Sequence, residues 1–317
     1  MQNHELKELA KLLEPGKRII VGVSGGVDSM VLVDILHRNR SFLNKDFKVL
    51  HVDHHISADS AMWAQFVQDW CDVRGIPCEA VDVDISKYGN NMEHAARQAR
   101  YLAFADQQAD MLVLGHHAND QCETFFLKLF RGSGLKGLRC MNKSAASWID
   151  PNVTLVRPLL SWTKDRIKDY ALEHNVQNIE DLSNDDTKFD RNWIRHDLWP
   201  LINQRNEIAD INMLRTISLL NESWELTQDL ARIDMGYCCN SDGSMDWTKI
   251  RMLSMPRLKN VILHILDQDS VTGFSTHHVE EFAKSLLFAN MDSRNEMRVK
   301  GFIMRKIGKK IVYGSEI

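Results

Sequence analysis

Three short stretches hold residues whose types and spacing could do chemistry. The first, Ser24-Gly25-Gly26-Val27-Asp28-Ser29, gathers two hydroxyls, two glycines and a carboxylate in six positions. Glycine lets a backbone approach an anion closely, and the first N–H groups of a helix point at one. Ser24 and Ser29 add hydroxyl donors, so the pattern suits a polyphosphate. Asp28 does not favour a bare phosphate and implies Mg2+ or an orienting role. A tight strand-to-helix turn capped by Asp and Ser would use the same residues without any ligand. The second stretch, GHHANDQCET at 115–124, sets Asp120 and Glu123 three apart, on one side of a helix. Such a pair can hold Mg2+, accept a proton, or merely form the acidic first turn that a helix dipole favours. His116 beside them admits zinc, but the thiolate spacing of zinc sites is missing. The third, EHAARQARY at 93–101, aligns Arg97, Arg100 and Tyr101 on one helical face. Arginines there suit a phosphate or carboxylate clamp, or a solvated face.

Weaker signals surround these. His54 and His55 in HVDHHI (51–56) follow an apolar run and can flank an adenine or ribose, or be structural. Arg131 and Lys136 lie in FRGSGLKGL (130–138), a glycine-rich basic segment suited to a loop that closes over nucleotide or RNA. In DRNWIRHDLWP (190–200), Arg191 and Arg195 are four apart with Asn192 between them. They can meet RNA phosphates or a substrate carboxylate, or form a surface ion-pair network.

The elements that must position these residues alternate. Apolar β-rich runs at 18–23, 47–52, 77–85 and 111–115 are separated by helical patterns at 29–38, 57–73 and 91–108, with another at 120–130. That alternation predicts an α/β fold, a doubly wound parallel sheet with crossover helices on both faces. Ligands in such sheets sit beyond the carboxyl ends of the strands, which is where 24–29, 53–55 and 116–120 fall. From 163 the pattern is helical, interrupted by a polar loop at 180–190, with a long helix predicted over 206–233. GYCCNSDG at 236–243 marks a boundary. Helices near 256–267 and 276–289 and strands at 297–305 and 310–313, with a turn at Gly308, predict a small α+β domain. The expected division is 1–205, a helical linker 206–235, and 236–317.

Composition restricts the class. The chain has 317 residues, 44% apolar and 26% charged, with a formal net charge of −4. That balance argues against indiscriminate nucleic-acid binding but leaves room for local patches. Residues 128–143 carry five cations and no acid, and 294–310 carry seven against Glu296. No apolar run reaches the roughly 20 residues that cross a bilayer, and the amino-terminal segment is polar, so a cytoplasmic location is expected. Six cysteines without a C-x-x-C pair argue against a zinc ribbon, an iron–sulfur ligand set or a disulfide framework.

No G-x-x-x-x-G-K-[ST] is present, and the G-x-G-x-x-G at 132–137 follows a helical pattern rather than an apolar strand run, so kinase-type γ-transfer and dinucleotide binding are disfavoured. The S-G-G-x-D-S loop resembles the PP-loop of the N-type ATP pyrophosphatases, which cut ATP between the α and β phosphates. The order of motifs narrows the resemblance: HVDHHI, EHAARQARY, GHHANDQCET, FRGSGLKGL, then RPLL (157–160), EDLSN (180–184) and DRNWIRHDLWP. Across 18–200 this is similar to the tRNA(Ile)-lysidine synthetases, and 251–317 looks like the small domain that follows in that family. Some members carry one more carboxyl-terminal domain, which bears on how the far parts of the tRNA are gripped. The resemblance implies ATP with Mg2+, free L-lysine and tRNA(Ile) with a CAU anticodon, the wobble cytidine becoming lysidine with release of AMP. It also implies catalytic roles for Asp28, Arg97, Asp120 and Glu123. The nucleotide would be held by residues 24–29 (Ser24, Gly25, Gly26, Val27, Asp28, Ser29) with His54 and His55. Mg2+ would sit on Asp28, Asp120 and Glu123, and RNA or lysine on Arg100, Arg131, Lys136, Arg191, Asn192 and Arg195. A tRNA-binding 236–317 domain and a homodimer complete these expectations. The rivals are a tRNA thiolation enzyme with the same loop and a non-catalytic RNA-binding relative.

Overall fold

The computed structural model describes residues 1–55, 57, 59–88, 92–180 and 190–315, the side chains of 92 and 93 excepted. Position 56 of HVDHHI, the 181–184 part of EDLSN and most of the polar loop at 180–190 therefore lie outside the described residues. Contacts divide the chain into two compact units, Met1–Ser218 and Leu219–Ile317.

The first unit opens with α1 (Asn3–Leu13), β1 (Ile19–Gly22), α2 (Val27–Arg38) and a short α3 (Arg40–Leu43). β2 (Phe47–Asp53), α4 (Ser60–Asp72), β3 (Cys78–Asp82) and α5 (Met92–Ala105) follow. Next come β4 (Met111–Leu114), α6 (Ala118–Phe130), α7 (Leu135–Leu138), β5 (Ser144–Ala146) and β6 (Thr154–Val156). The unit continues with α8 (Lys164–Glu173), α9 (Asp190–Trp193), α10 (Trp199–Arg205) and the start of α11 (Ala209–Cys238).

The sheet has the order β3-β2-β1-β4-β6-β5. The first five strands are parallel and β5 turns back antiparallel on β6. Alternate residues of each strand feed opposite faces. Ile19, Val21, Val49, Met111, Val113 and Val156 join one core with Val31, Ile35, Val67 and Trp162. Ile20, Leu50, Leu112, Leu114 and Leu155 join another with Tyr101 and Phe104. With apolar residues on both faces, the central strands read as continuous β-branched and leucine runs, as a sheet covered on both sides requires. Phe104 fills the space beside Gly22, where an added Cβ would meet its ring at 2.8 Å.

Two local departures have simple causes. The run predicted as one strand at 77–85 pairs only to Asp82, and Ile85–Tyr88 forms a 3-10 turn instead. Strands β5 and β6 were not foreseen, because three-residue strands are too short to show a period.

The second unit contains the rest of α11, β7 (Met245–Asp246), α12 (Trp247–Ile250), α13 (Met255–Gln268) and α14 (Thr276–Leu287). β8 (Glu296–Val299), β9 (Phe302–Ile307) and β10 (Lys310–Ser315) complete it. Its antiparallel sheet has the order β7-β10-β9-β8, and its core joins Trp247, Ile262, Phe282, Phe302 and Met304. The single strand expected at 297–305 is a hairpin: Lys300 and Gly301 both take positive φ, 38° and 80°, and reverse the chain. Lys306 is buried there, its Nζ donating to the carbonyls of Asn290, Met291 and Ser293 at 2.9, 2.8 and 3.2 Å. Three carbonyl acceptors offset the desolvation of its ammonium.

Candidate active site

The six-residue loop joins β1 to α2 at the carboxyl edge of the first sheet. Gly25 has φ +92°, a conformation that resists a Cβ, and an added one would also meet Ile179 Cδ1 at 2.9 Å. The Ile179 N–H donates to the Gly25 carbonyl at 2.9 Å, fixing the loop from outside. Ser29 Oγ donates to the Gly26 carbonyl at 2.9 Å and accepts from the Ser24 N–H at 3.2 Å. Gly26 is the N-cap of α2, and no described side chain caps that terminus. The first N–H groups of a twelve-residue helix are thus offered to an incoming anion. Gly115, just past β4, supports the loop from below: a Cβ there would meet backbone atoms of Asp28 and Ser29 at 3.2 Å.

Side chains extend the site away from the loop. Lys164, at the start of α8, holds both oxygens of Asp28 at 2.7 and 2.8 Å. His117 Nε2 stands 3.6 Å from Asp28 and 3.7 Å from Asp120. His117 is also the N-cap of α6, its N–H donating to Asp120 Oδ2 at 2.9 Å and its Nδ1 accepting from Asn119 N–H at 3.2 Å. Arg191 then bridges the two acids of α6, giving Nη2 to Asp120 at 3.0 Å and Nε to Glu123 Oε2 at 2.6 Å. Arg195 adds Nε to Glu123 Oε1 at 2.7 Å and Nη2 to Oε2 at 3.1 Å. The result is a series of polar and charged groups, Lys164–Asp28–His117–Asp120–Arg191–Glu123–Arg195, ion-paired on either side of His117, whose Nε2 stands just beyond hydrogen-bond distance of both acids.

The two arginines reach Glu123 from an unusual helix. Between α9 and α10 the chain makes a π-helical turn, Ile194–Leu198. Pro200 has no N–H to give to residue 196, so the regular ladder cannot pass through that point. Such turns recur at functional sites.

Electrostatics differ along the series. Burial alone would raise Asp120, but His117, Arg191 and His116 together hold its pKa down to about 2. His116 is pushed the other way, to about 3, by burial and by Arg157, Arg191 and Arg97, so its ring is neutral at pH 7. Its Nδ1 and the Nε of Arg157 have no hydrogen-bond partner among the described residues. His54 falls to about 4, through burial and then Arg100, whose Nε donates to His54 Nε2 at 3.3 Å. Arg100 is exposed to solvent, and burial of its surroundings followed by Arg97 and Arg191 disfavours its charge. Arg97 lies 5.0 Å over the Tyr101 ring.

Other expected site residues stand apart. His55, at φ 52°, accepts no place beside the loop but faces Asp53 at 3.4 Å and Asp82 at 3.2 Å. Together with His54 it lines an open groove of about 710 Å3 that continues along residues 82–87. Arg131 caps the end of α6, about 12 Å along the helix axis from Glu123, and Lys136 lies in the separate α7. Asn192 lies in α9 between the two arginines, beside Trp193. Lys164, His117 and Arg157 were missed by sequence reasoning. His117 sits in the same motif as His116, whereas nothing in the order of residues ties Lys164 to Asp28, 136 positions away.

Asp28, Asp120 and Glu123 do not gather as a three-carboxylate metal cage. Among the described residues, the group whose ligand atoms all lie within 4.8 Å of one another is Asp53, His55 and Asp82. Both Glu123 oxygens accept from arginine, and both Asp28 oxygens accept from Lys164. An ion carried on phosphates needs only one or two protein carboxylates, and Asp28 fits that demand, beside the loop and 29% exposed.

Comparison with known proteins decides what this edge belongs to. A PP-loop domain family model matches residues 1–202. The tRNA(Ile)-lysidine synthase of Actinobacillus pleuropneumoniae is 31% identical over 295 residues, 92% of this chain and 68% of that protein. The chain belongs to the tRNA(Ile)-lysidine synthase family. The homologous enzyme of Nitrosomonas europaea is 34% identical over 275 residues, 86% of this chain but 60% of its own length. That of Neisseria meningitidis serogroup B is 34% identical and covered to 63%. The chain thus spans a little over three-fifths of these lysidine synthase relatives. Among solved structures, the U34-tRNA thiolase of Methanococcus maripaludis superposes with a TM-score of 0.51 at 17% identity, over 69% of this chain and 81% of that one. At that identity the likeness is one of fold. No helix among the described residues is long and apolar enough to cross a membrane.

Proposed function

We propose that the chain joins free L-lysine to C2 of the wobble cytidine in tRNA(Ile) with a CAU anticodon, using ATP and releasing AMP and diphosphate. The observation that carries this reading is the series of charged and polar groups, which leads from the phosphate loop through His117 to a carboxylate–arginine cluster. The names of its relatives support the same substrates.

Oxide is a poor leaving group, so the C2 oxygen must first be activated. In the reading favoured here, O2 of cytosine attacks the α-phosphorus, an O–P bond forms and the bond to diphosphate breaks. The lysine ε-amine then attacks C2 and AMP leaves. Backbone N–H groups at 26–29 and the hydroxyls of Ser24 and Ser29 would hold the phosphates, stabilising charge as it develops on the leaving diphosphate. Lys164 and Asp28 would orient the α-phosphate region. Bound Mg2+ would supply further charge neutralisation at the phosphates. Asp120, with a pKa near 2, is a poor base for an ammonium whose reference pKa is about 10.4. Its role is electrostatic, keeping His117 and Arg191 in place. Arg97 acts on the charge of both Arg100 and neutral His116, and the two arginines would suit an anionic group of substrate.

Incubation with ATP labelled at the α-phosphate tests the reading. Label should appear in AMP, and only when tRNA is present. Label in ADP, or AMP formed equally without tRNA, would reject it.

A further inference from the structure

The carboxyl-terminal end of α6 presents an apolar surface that the charge series does not use. Phe130 is 58% exposed and Trp193 41%, their ring centroids 6.2 Å apart and the planes inclined at 46°. Both rings are anchored rather than loose. Phe130 contacts Phe126 at 5.9 Å, and Phe126 contacts the buried Trp199 at 6.2 Å. Cys122, Trp199 and Ala209 form the small core beneath.

Two further observations say what fits there. Lys128 and Arg131, on either side of Phe130, are exposed, and the whole stretch 128–143 contains no acid. Aromatic faces between cations match the two needs of an unpaired nucleotide, a base to stack and a phosphate to neutralise. Phe130 also follows Glu123 by seven residues, hence two turns along the same face of α6, about 10 Å from the carboxylate cluster.

We infer that Phe130 and Trp193 form a stacking platform for an unpaired base of the RNA substrate, a neighbour of the base that reacts. The inference rests on the RNA-modifying reading above and adds to it the side chains that hold the single strand. Lys128 and Arg131 contact the flanking phosphates.

The test uses the full chain and a synthetic anticodon stem-loop hairpin, with affinity measured across a salt series. Trp193→Ala should weaken hairpin binding by about tenfold, the loss typical of one stacked base, with the slope of log K against log salt unchanged. Trp193→Phe should restore most of it. Arg131→Ala should instead reduce that slope by about 0.7, one single-strand phosphate contact. ATP binding, measured separately, should be the same in all four proteins and controls for folding. Unchanged hairpin affinity in both Trp193→Ala and Phe130→Ala, with wild type still binding, would overturn the platform and leave the proposed function standing. A wild-type protein that neither binds the hairpin nor forms AMP with tRNA would overturn both. Loss of self-association in Trp193→Ala, at unchanged hairpin affinity, would mark the surface as a contact between copies and overturn the inference.

Discussion

The phosphate loop and the carboxylate–arginine cluster occupy one sheet edge but are built on opposite principles. The loop is made of backbone: glycines at 25 and 115, an uncapped helix start and a crosslink from Ile179 create donors that no substitution of a side chain supplies. The cluster is made of side chains, four charged groups whose mutual pairing holds α6 against α9. A backbone site depends on steric permission, and a side-chain site on charge balance. The two should therefore fail in different ways.

Asp28→Ala should separate chemistry from stability most sharply. AMP formation should fall on the order of a thousandfold, the scale of removing a group aligned with developing charge, while the melting temperature barely moves. Asp28 pairs with a partly exposed lysine, a bond of small net worth, and stands 3.6 Å from His117. Glu123→Ala should lose both together. It strips the partner from Arg191 and Arg195, and unfolding in denaturant should show a loss of about 2–3 kcal/mol, discounted from a fully buried pair because Arg195 is partly exposed. If Glu123→Ala kept its stability, the cluster would be a surface network and the contrast would collapse.

Smaller effects sharpen the same comparison. Gly25→Ala should cost about 1–2 kcal/mol from its positive φ and raise the KM for ATP, readable by calorimetry and initial rates. The pH dependence of stability should come from the histidines rather than from the loop. His54 and His116 have folded pKa values of about 4 and about 3, below the ordinary 6.5. Between those values the unfolded chain binds more protons, so stability is full above pH 6.5 and declines as pH falls toward 4. Urea midpoints at pH 7, 5.5 and 4 should show that decline, and His54→Gln should make it shallower.

How much of this was legible in the order of residues follows the same division. The loop could be read because its six residues are contiguous and its glycines have one steric meaning. The parallel sheet could be read because each of its central strands is a short apolar run bounded by turn residues. The hairpin at Lys300–Gly301 was harder to read: Met297 and Val299 alternate with charged residues, Phe302, Ile303 and Met304 then run together, and the positive φ angles locate the reversal between them. Asp120 and Glu123 were recognisable as a pair on one helix face, but the groups occupying them were not. Arg191 lies 68 residues from Glu123, and Lys164 reaches Asp28 across 136. Charge pairing at such separations is set by the packing of α6, α8 and α9, which no local pattern encodes.

The most direct test of the account supplies ATP, tRNA and isotopically labelled free lysine, and measures label retained in the RNA with each component omitted in turn. The account predicts incorporation only when all three are present, at one nucleoside per tRNA, and its loss in Asp28→Ala. Release of AMP with no lysine in the RNA would contradict it, leaving an ATP-cleaving PP-loop protein that uses a different nucleophile.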